Sequence, residues 1–401
     1  SQGVSNVIRS TSPSTFIGIL FSSGTLNVSG LTALNLHSST GVTVGSSVTV
    51  TAFSNVRYGN LQANAVALRW NKNVNLALTA QDFDGSVTTN VYTTAVSSPN
   101  FLSLSGATGS KAGEFFEGAP NNRIFWGIPP APTGLTGTAL STSSIRWGWS
   151  NVADEEDFRV IRTSDSASLA TLPINTTSWD QIGLTPDATQ QVFIRAHNPL
   201  GDANSTSLTL ATRSSTPTAS AITAVTSATV NVSWNANSNP GYTIYEAQLS
   251  TDSTFSTATV TLSNTMTGTT TGFVALLPKT SYYFQVRSRN LDLVYSSFTT
   301  VISTRTSPET QVPVTAITVP AAGGYLTAFT TIQGAASDNL SGVTTTYVRI
   351  RRDSDIFFWT GSVWSASVAD LTAVLSGPVT SRTWTYYAGA VTVVDGGVYT
   401  I

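Results

Sequence analysis

The 401-residue sequence contains no cysteine and only two histidines, His37 and His197. Zinc and iron sites need several Cys, His or carboxylate ligands at fixed spacing, so no such site is expected. A Ser-His-Asp hydrolase needs a histidine base, and no Gly-x-Ser-x-Gly elbow stands between a strand and a helix. The sequence therefore predicts that the chain is not an enzyme.

Charge is also scarce: charged residues make up 10% of the chain, against about 25% in an ordinary soluble domain. Only three lysines occur and the net charge is −2, so no basic stripe is available for nucleic acid. No apolar run reaches the roughly 18 residues of a membrane span, so we expect no membrane insertion in this segment. The missing cysteines favour an exported bacterial protein, found outside the cell or on its surface, over a disulfide-bonded eukaryotic one.

What the sequence does contain is period-2 alternation of apolar, often β-branched residues. Val230, Val232 and Trp234 form one such run, and Val348 and Ile350 form another. Short alternating runs between clusters of Gly, Pro, Asn, Asp and Ser are typical of half-buried strands. We therefore predict an all-β chain.

Three proline-marked joints, at residues 128–132, 214–217 and 307–313, divide the chain. They predict domains at 1–128, 129–215, 216–307 and 308–401, each about the size of one sandwich. The N-terminal region, 1–128, matches no family on sight, and its alternation suggests another sandwich.

The two middle segments look like repeats of each other, each with an early Trp strand and a later Leu-x-Pro turn followed by a long alternating strand. This pattern resembles the fibronectin type III family. The second copy carries the family motif at Leu276, Pro278, Thr280, Tyr282, Phe284, Val286 and Asn290. The first carries it at Leu184, Pro186, Val192, Ile194, Ala196, Asn198 and Gly201. The resemblance implies tandem β-sandwiches and makes Tyr282 the tyrosine that ties the corner between sheets. In the first copy Gln190 replaces that tyrosine, so its corner must be tied another way.

The last segment resembles a bacterial immunoglobulin-like domain of large repetitive surface proteins. The resemblance rests on residues 334–343 (GAASDNLSGV), 347–352 (YVRIRR) and 359–364 (WTGSVW). We expect this domain to be incomplete at its C-terminal end, because the final strand begins where the sequence stops.

Calcium is the one cofactor that the sequence leaves open, because it takes oxygen ligands from loops. Asp82, Asp84 and Asp338 are the candidate ligands, although Asp and Asn also favour turns for local reasons.

Three tryptophans, Trp147, Trp359 and Trp364, are candidate stacking surfaces for sugar rings, since a sugar ring presents an apolar face. The alternative is that these rings fill a core or a module interface.

Together these features favour a non-catalytic structural or adhesive segment of a bacterial surface protein. Such a segment could bind neighbouring surface proteins or copies of itself, assembling into a filament or surface layer. The alternative is a glycan-binding accessory region of a secreted polysaccharide-degrading enzyme. A third hypothesis places catalysis within residues 1–128, with Asp82, Asp84 and Glu117 converging in a pocket.

Overall fold

The computed structural model describes residues 6–8, 18–34, 36, 41–59, 65–84, 89–256 and 261–401. Apart from one 3₁₀ turn, η1 (Glu114–Phe116), every regular element in these ranges is a strand, so the predicted all-β class is confirmed. The chain divides into two compact units, residues 1–213 and residues 214–401.

The N-terminal part of the first unit, which we call the coil stack, is built from parallel strands. They are β1 (Asn6–Ile8), β2 (Ile19–Leu34), β3 (Val42–Gly59), β4 (Val66–Trp70), β5 (Leu76–Ala77), β6 (Gln81–Phe83), β7 (Thr89–Tyr92), β8 (Leu102–Ser103) and β9 (Ile124–Phe125). One sheet has the order β1-β2-β3-β4-β7, with β6 also paired to β3, and the other has the order β5-β8-β9. Every strand pairing in both sheets is parallel.

Paired residues in the coil stack lie 22 to 26 positions apart, from Leu102 with Ile124 to Val42 with Leu68. The chain therefore returns to the same place after each turn and adds a strand beside the previous one, as in a β-helix. The expectation of a sandwich at 1–128 is wrong. A two-sheet sandwich of this kind is made of antiparallel strands, and alternation along one strand does not reveal whether its neighbours are parallel.

Side chains inside the coil stack line up from one coil to the next. Val42, Leu68 and Val91 occupy equivalent positions and are all fully buried. The Tyr58 and Phe83 rings stack with their centroids 4.8 Å apart. These ladders bury apolar surface along the whole stack.

Two antiparallel sandwiches follow. The first contains β10 (Thr136–Ala139), β11 (Ile145–Gly148), β12 (Asp157–Arg162), β13 (Ser168–Pro173), β14 (Ser178–Gln181), β15 (Thr189–Asn198), β16 (Gly201–Asn204) and β17 (Leu208–Ala211). The second contains β18 (Thr218–Val225), β19 (Val230–Asn235), β20 (Ile244–Ser250), β21 (Thr261–Met266), β22 (Thr270–Phe273), β23 (Ser281–Arg289) and β24 (Ile302–Arg305).

Both sandwiches pair a three-stranded sheet with a larger one. The orders are β10-β11-β14 and β13-β12-β15-β16, with β17 on β15, in the first sandwich. They are β18-β19-β22 and β21-β20-β23-β24 in the second. This shared topology confirms the predicted fold, two antiparallel β-sandwiches in tandem.

The corner of each sandwich is tied as the sequence requires, but by different groups. In the second, the backbone N–H of Leu277 donates to the Tyr282 hydroxyl at 3.0 Å. In the first, the Trp147 indole donates to Gln181 at 3.0 Å, and the Gln181 amide donates to Gln190 at 3.0 Å. Gln190 therefore replaces the tyrosine by joining a side-chain relay.

The C-terminal module contains β25 (Val314–Val319), β26 (Ala328–Ser337), β27 (Tyr347–Val348), β28 (Arg351–Arg352), β29 (Phe357–Trp359), β30 (Trp364–Ser365), β31 (Leu371–Thr372), β32 (Val374–Ser376), β33 (Ser381–Thr392) and β34 (Tyr399–Thr400). Its main sheet has the order β25-β26-β33-β32, and β30-β29-β28-β34 forms a second sheet. All its pairings are antiparallel, and its core includes Ile332, Ile350 and Trp384.

Tyr282→Phe should weaken the corner of the second sandwich, because the Leu277 amide loses its acceptor. We expect a loss of about 0.5–1.5 kcal/mol, the usual net contribution of one hydrogen bond, because Leu277 is 59% exposed and its amide can bind water instead. Hydrogen exchange measured by mass spectrometry should show faster exchange in peptides that span residues 274–286. Tyr283→Phe, one position along the same strand, is the control, and equal exchange in the two variants would contradict the tie.

Candidate functional site

Polar side chains meet where the coil stack joins the first sandwich. We call this region the seam and define it as residues 114–128 and 151–156 together with Asn198. All of it lies within the first unit. It is formed by the segment around β9, by the loop between β11 and β12, and by the end of β15.

Asn198, 1% exposed, is the central residue of the seam. Its amide donates to the Gly127 carbonyl at 2.7 Å and to the Asp154 carbonyl at 2.8 Å. Its carbonyl oxygen accepts the backbone N–H groups of Leu200 at 2.8 Å and Gly201 at 3.1 Å. One side chain therefore joins the linker, the β11–β12 loop and the β15–β16 turn.

A buried arginine joins the same two modules. Arg123 forms an ion pair with Glu156, and its guanidinium also donates to the carbonyls of Asn100 at 2.9 Å and Pro99 at 3.1 Å. Its side chain is only 7% exposed. A buried guanidinium with several acceptors is costly to separate from them, so this contact resists opening of the seam.

Four carboxyl groups complete the seam. Glu114 accepts the backbone N–H of Asp154 at 2.8 Å, and Asp154 accepts the backbone N–H of Trp126 at 2.9 Å. Glu117 accepts the Trp126 indole N–H at 2.9 Å. Glu155, 2% exposed, accepts the backbone N–H of Asn175 at 3.0 Å through one oxygen, and its other oxygen is buried without a partner.

Burial, together with repulsion between neighbouring carboxylates, favours the protonated forms of Glu117, Asp154 and Glu155. Burial, followed by the charges of Glu114 and Asp154, raises the pKa of Glu117 to about 8, and the Trp126 bond opposes the shift. Burial likewise raises the pKa of Asp154 to about 6 and raises the pKa of Glu155. The seam therefore holds protons that ordinary surface carboxyls would lose.

The acids predicted to converge in residues 1–128 lie in different surroundings. Asp82 and Asp84 both face Arg57 on an earlier coil, each at 3.4 Å, whereas Glu117 binds Trp126 in the seam. A cavity of about 420 Å³ at the seam is lined by Arg123 and Glu156 and by none of these three acids. The three acids therefore do not converge in this cavity, and the cavity gives the catalytic hypothesis no support.

The calcium prediction receives no support at Asp82 and Asp84, because both carboxylates already face Arg57. Gly85, which belongs to the same motif, lies outside the described residues. Asp338 directly follows β26, and its Oδ1 accepts the backbone N–H groups of Leu340 and Gly342. Among the described residues no three His, Asp or Glu side chains are arranged to hold a metal ion.

The three predicted stacking tryptophans differ in burial. Trp147 is 0% exposed in the core, so a sugar cannot stack on it, and that prediction is wrong: two sandwich sheets enclose the ring. Trp359 and Trp364 are half-buried, and their rings meet at 60° with centroids 5.6 Å apart. The Arg352 guanidinium lies 4.8 Å from the centre of the Trp364 ring.

His197 lies near the end of β15, and its Nδ1 is 2.5 Å from Asp202. His37 lies outside the described residues. None of the helices within the described ranges is long and apolar enough to cross a membrane.

No family model matches the chain. The chain is similar to Chitinase A1 of Niallia circulans, with 27% identity over 197 residues, covering 46% of this chain and 27% of that protein. It is also similar to Exoglucanase B of Cellulomonas fimi, with 27% identity over 212 residues, covering 48% of this chain and 18% of that protein. The chain thus spans only a minor part of the curated relatives that it matches.

Solved structures similar to this chain include a two-domain fibronectin type III segment of chicken tenascin, with 16% identity and a TM-score of 0.32, covering 44% of this chain and 99% of that one. The fibronectin domains FN1–FN3 of chicken CNTN1 match with 13% identity and a TM-score of 0.23, covering 65% of this chain and 89% of that one. The strand pairing described above carries the fold assignment by itself.

Glu117→Gln should make the first unit less sensitive to alkaline pH. A carboxyl whose folded pKa of about 8 exceeds its ordinary 4.5 binds more protons when folded, so its contribution to stability falls as pH rises through this interval. The glutamine oxygen can still accept the Trp126 N–H. At pH 8 the variant should be more stable than the wild type by on the order of 1–3 kcal/mol.

Urea unfolding at pH 5 and pH 8 measures this effect, with Asp165→Asn as a control for loss of an exposed carboxylate. If wild type and Glu117→Gln lose stability in parallel between the two pH values, the proposed protonation of Glu117 is wrong.

Proposed function

We propose that this chain is a non-catalytic spacer of an extracellular bacterial protein. Its modules keep a functional part of that protein at a set distance and direction. The observation that carries the proposal is the seam, where buried polar contacts rather than a loose linker join two modules of unrelated architecture. Domains joined by a flexible linker would not need such contacts.

The comparisons favour a parent protein that acts on polysaccharide. Both curated relatives carry names of polysaccharide-degrading enzymes, a chitinase and an exoglucanase. The fibronectin-type sandwich is itself an all-β scaffold, and its function depends on what is attached to it. A spacer beside a catalytic domain is therefore the specific form of the proposal.

The aromatic residues support a spacer better than a glycan-binding region. The two rings meet edge to face at 60° and so form no flat stacking surface, and Arg352 already covers part of Trp364. Trp359 and Trp364 also pack against the C-terminal core, so their area stabilises the module.

Asn198→Ala should loosen the seam, because four hydrogen bonds among the linker, loop and turn are lost. A loss of at least 1.4 kcal/mol would raise the population of the open seam by about tenfold or more. Chymotrypsin cleavage after Phe125 or Trp126 reports this opening when the seam recloses faster than it is cut. We expect cleavage in this segment to accelerate by about the same factor.

Asn204→Ala, in the neighbouring strand β16, is the matched control and should be cut at the wild-type rate. Equal cleavage of the Asn198 and Asn204 variants would overturn the role of the seam. Release of soluble sugar from chitin or cellulose by the purified chain would overturn the non-catalytic part of the proposal.

Self-association is a second candidate function, and the edge strand β25 favours it. All six residues of β25 are exposed, including Val314, Ile317 and Val319, and among the described strands it pairs only with β26. An exposed apolar edge is a template for a strand of another chain. Pairing of β25 with the β25 strand of a second copy would join two chains in a two-fold symmetric dimer.

Ile317→Lys should abolish such assembly, because an edge lysine adds charge repulsion between paired copies. Sedimentation velocity over a wide concentration range measures it. Val374→Lys, on the opposite edge strand β32 of the same sheet, is the control and should assemble like wild type. A wild-type chain that remains monomeric at the highest concentrations would exclude self-association.

A further inference from the structure

We propose that the second unit carries a calcium site at the junction between the second sandwich and the C-terminal module. The ligands are the carboxylates of Glu309 and Asp338, which line one cavity of about 400 Å³. The site does not depend on the spacer function, since a chain with any other role could bind calcium here.

Both carboxylates are fixed by the same short turn. Asp338 Oδ1 accepts the backbone N–H groups of Leu340 at 2.9 Å and Gly342 at 3.0 Å. Glu309 Oε2 accepts the intervening N–H of Ser341 at 3.0 Å. Three consecutive amides thus bind two acids, which brings like charges close together and orients them.

The other oxygen of each carboxylate is left without a partner. Asp338 is only 6% exposed, and its Oδ2 is buried and accepts no hydrogen bond. Glu309 Oε1 is likewise buried and unpaired. Two buried carboxylate oxygens without a partner are costly, and a cation that entered between the two acids would remove that cost.

Gly342 makes the geometry of this turn attainable, because its φ of +78° lies in the left-handed region that favours glycine.

Calcium fits this donor set better than magnesium or zinc. It accepts six to eight oxygens in irregular geometry, including hydroxyls, amide carbonyls and water. Gln311 and Ser341 also line the cavity and carry neutral oxygens of these kinds. With only two carboxylates the affinity should be modest, with a Kd on the order of 10⁻⁴–10⁻³ M, as in other extracellular modules.

Lys279 is the rival occupant, because it lines the same cavity and its ammonium could neutralise the acids instead. The two alternatives predict opposite responses. If Lys279 fills the cavity, Lys279→Gln should destabilise the unit, and calcium should bind only after the lysine is removed. If calcium fills it, Lys279→Gln should leave calcium binding intact or strengthen it.

Calorimetric titration of CaCl₂ into the metal-free full chain tests the proposal. We expect saturable binding that weakens about tenfold or more in both Asp338→Asn and Glu309→Gln, since each loses one of two charged ligands. Both substitutions keep an oxygen that can accept the turn N–H groups. Asp370→Asn, an exposed acid of the same module paired with Arg349, is the matched control and should bind as wild type.

The melting temperature of each variant, measured with calcium and with chelator, gives a second readout. It remains informative if a substitution lowers the stability of the fold, because each variant is compared with itself. A calcium-dependent rise in wild type and Asp370→Asn that is absent in Glu309→Gln supports the site. No saturable heat in wild type, equal binding in all variants, or binding seen only in Lys279→Gln would each overturn it.

Discussion

The hydrogen-bonding requirement of backbone groups at module boundaries is the constraint on which this structure depends. Where the chain leaves one sheet and enters the next module, its N–H and C=O groups lose their ladder partners and must find others. Asn198 answers this need in the first unit, with four hydrogen bonds to three segments. In the second unit, Ser288 donates to the Ser215 carbonyl at the start of the second sandwich.

The scarce acidic residues serve the same purpose. Glu114 and Asp154 accept backbone N–H groups in the seam, and Glu309 and Asp338 accept them beside the C-terminal module. A carboxylate is a strong acceptor for an amide, but several together in a dry place repel one another. Burial, reinforced by this repulsion, explains the raised pKa values in the seam. At Glu309 and Asp338, a bound cation is the proposed compensation for placing two acids side by side.

Sequence reasoning succeeded where the determining interactions are local in the chain. The Leu-x-Pro turn and the alternating strand around Tyr282 lie within about fifteen residues, so the fibronectin-type fold could be predicted from the amino-acid sequence. The coil stack could not be predicted in this way, because its ladders join residues about 25 positions apart. In addition, any apolar residue of the right size fits such a ladder, as Val42, Leu68 and Val91 illustrate.

The seam was beyond sequence reasoning for a related reason. Asn198 was recognised only as a motif residue, yet its partner Gly127 lies 71 positions away. Trp147 illustrates the opposite error, because it was a candidate stacking surface for a sugar ring, whereas its ring lies in the core. Whether a strand residue faces solvent depends on the sheet packed against it, and a single strand does not specify that sheet.

A spacer of this kind requires that the coil stack and the first sandwich move as one body. Because the chain has no cysteine, Ser105→Cys and Thr171→Cys together provide two unique spin-label positions, one in each module. Pulsed electron–electron double resonance between the labels measures their distance distribution. We predict one narrow distance, and a broad distribution typical of a flexible linker would contradict the account.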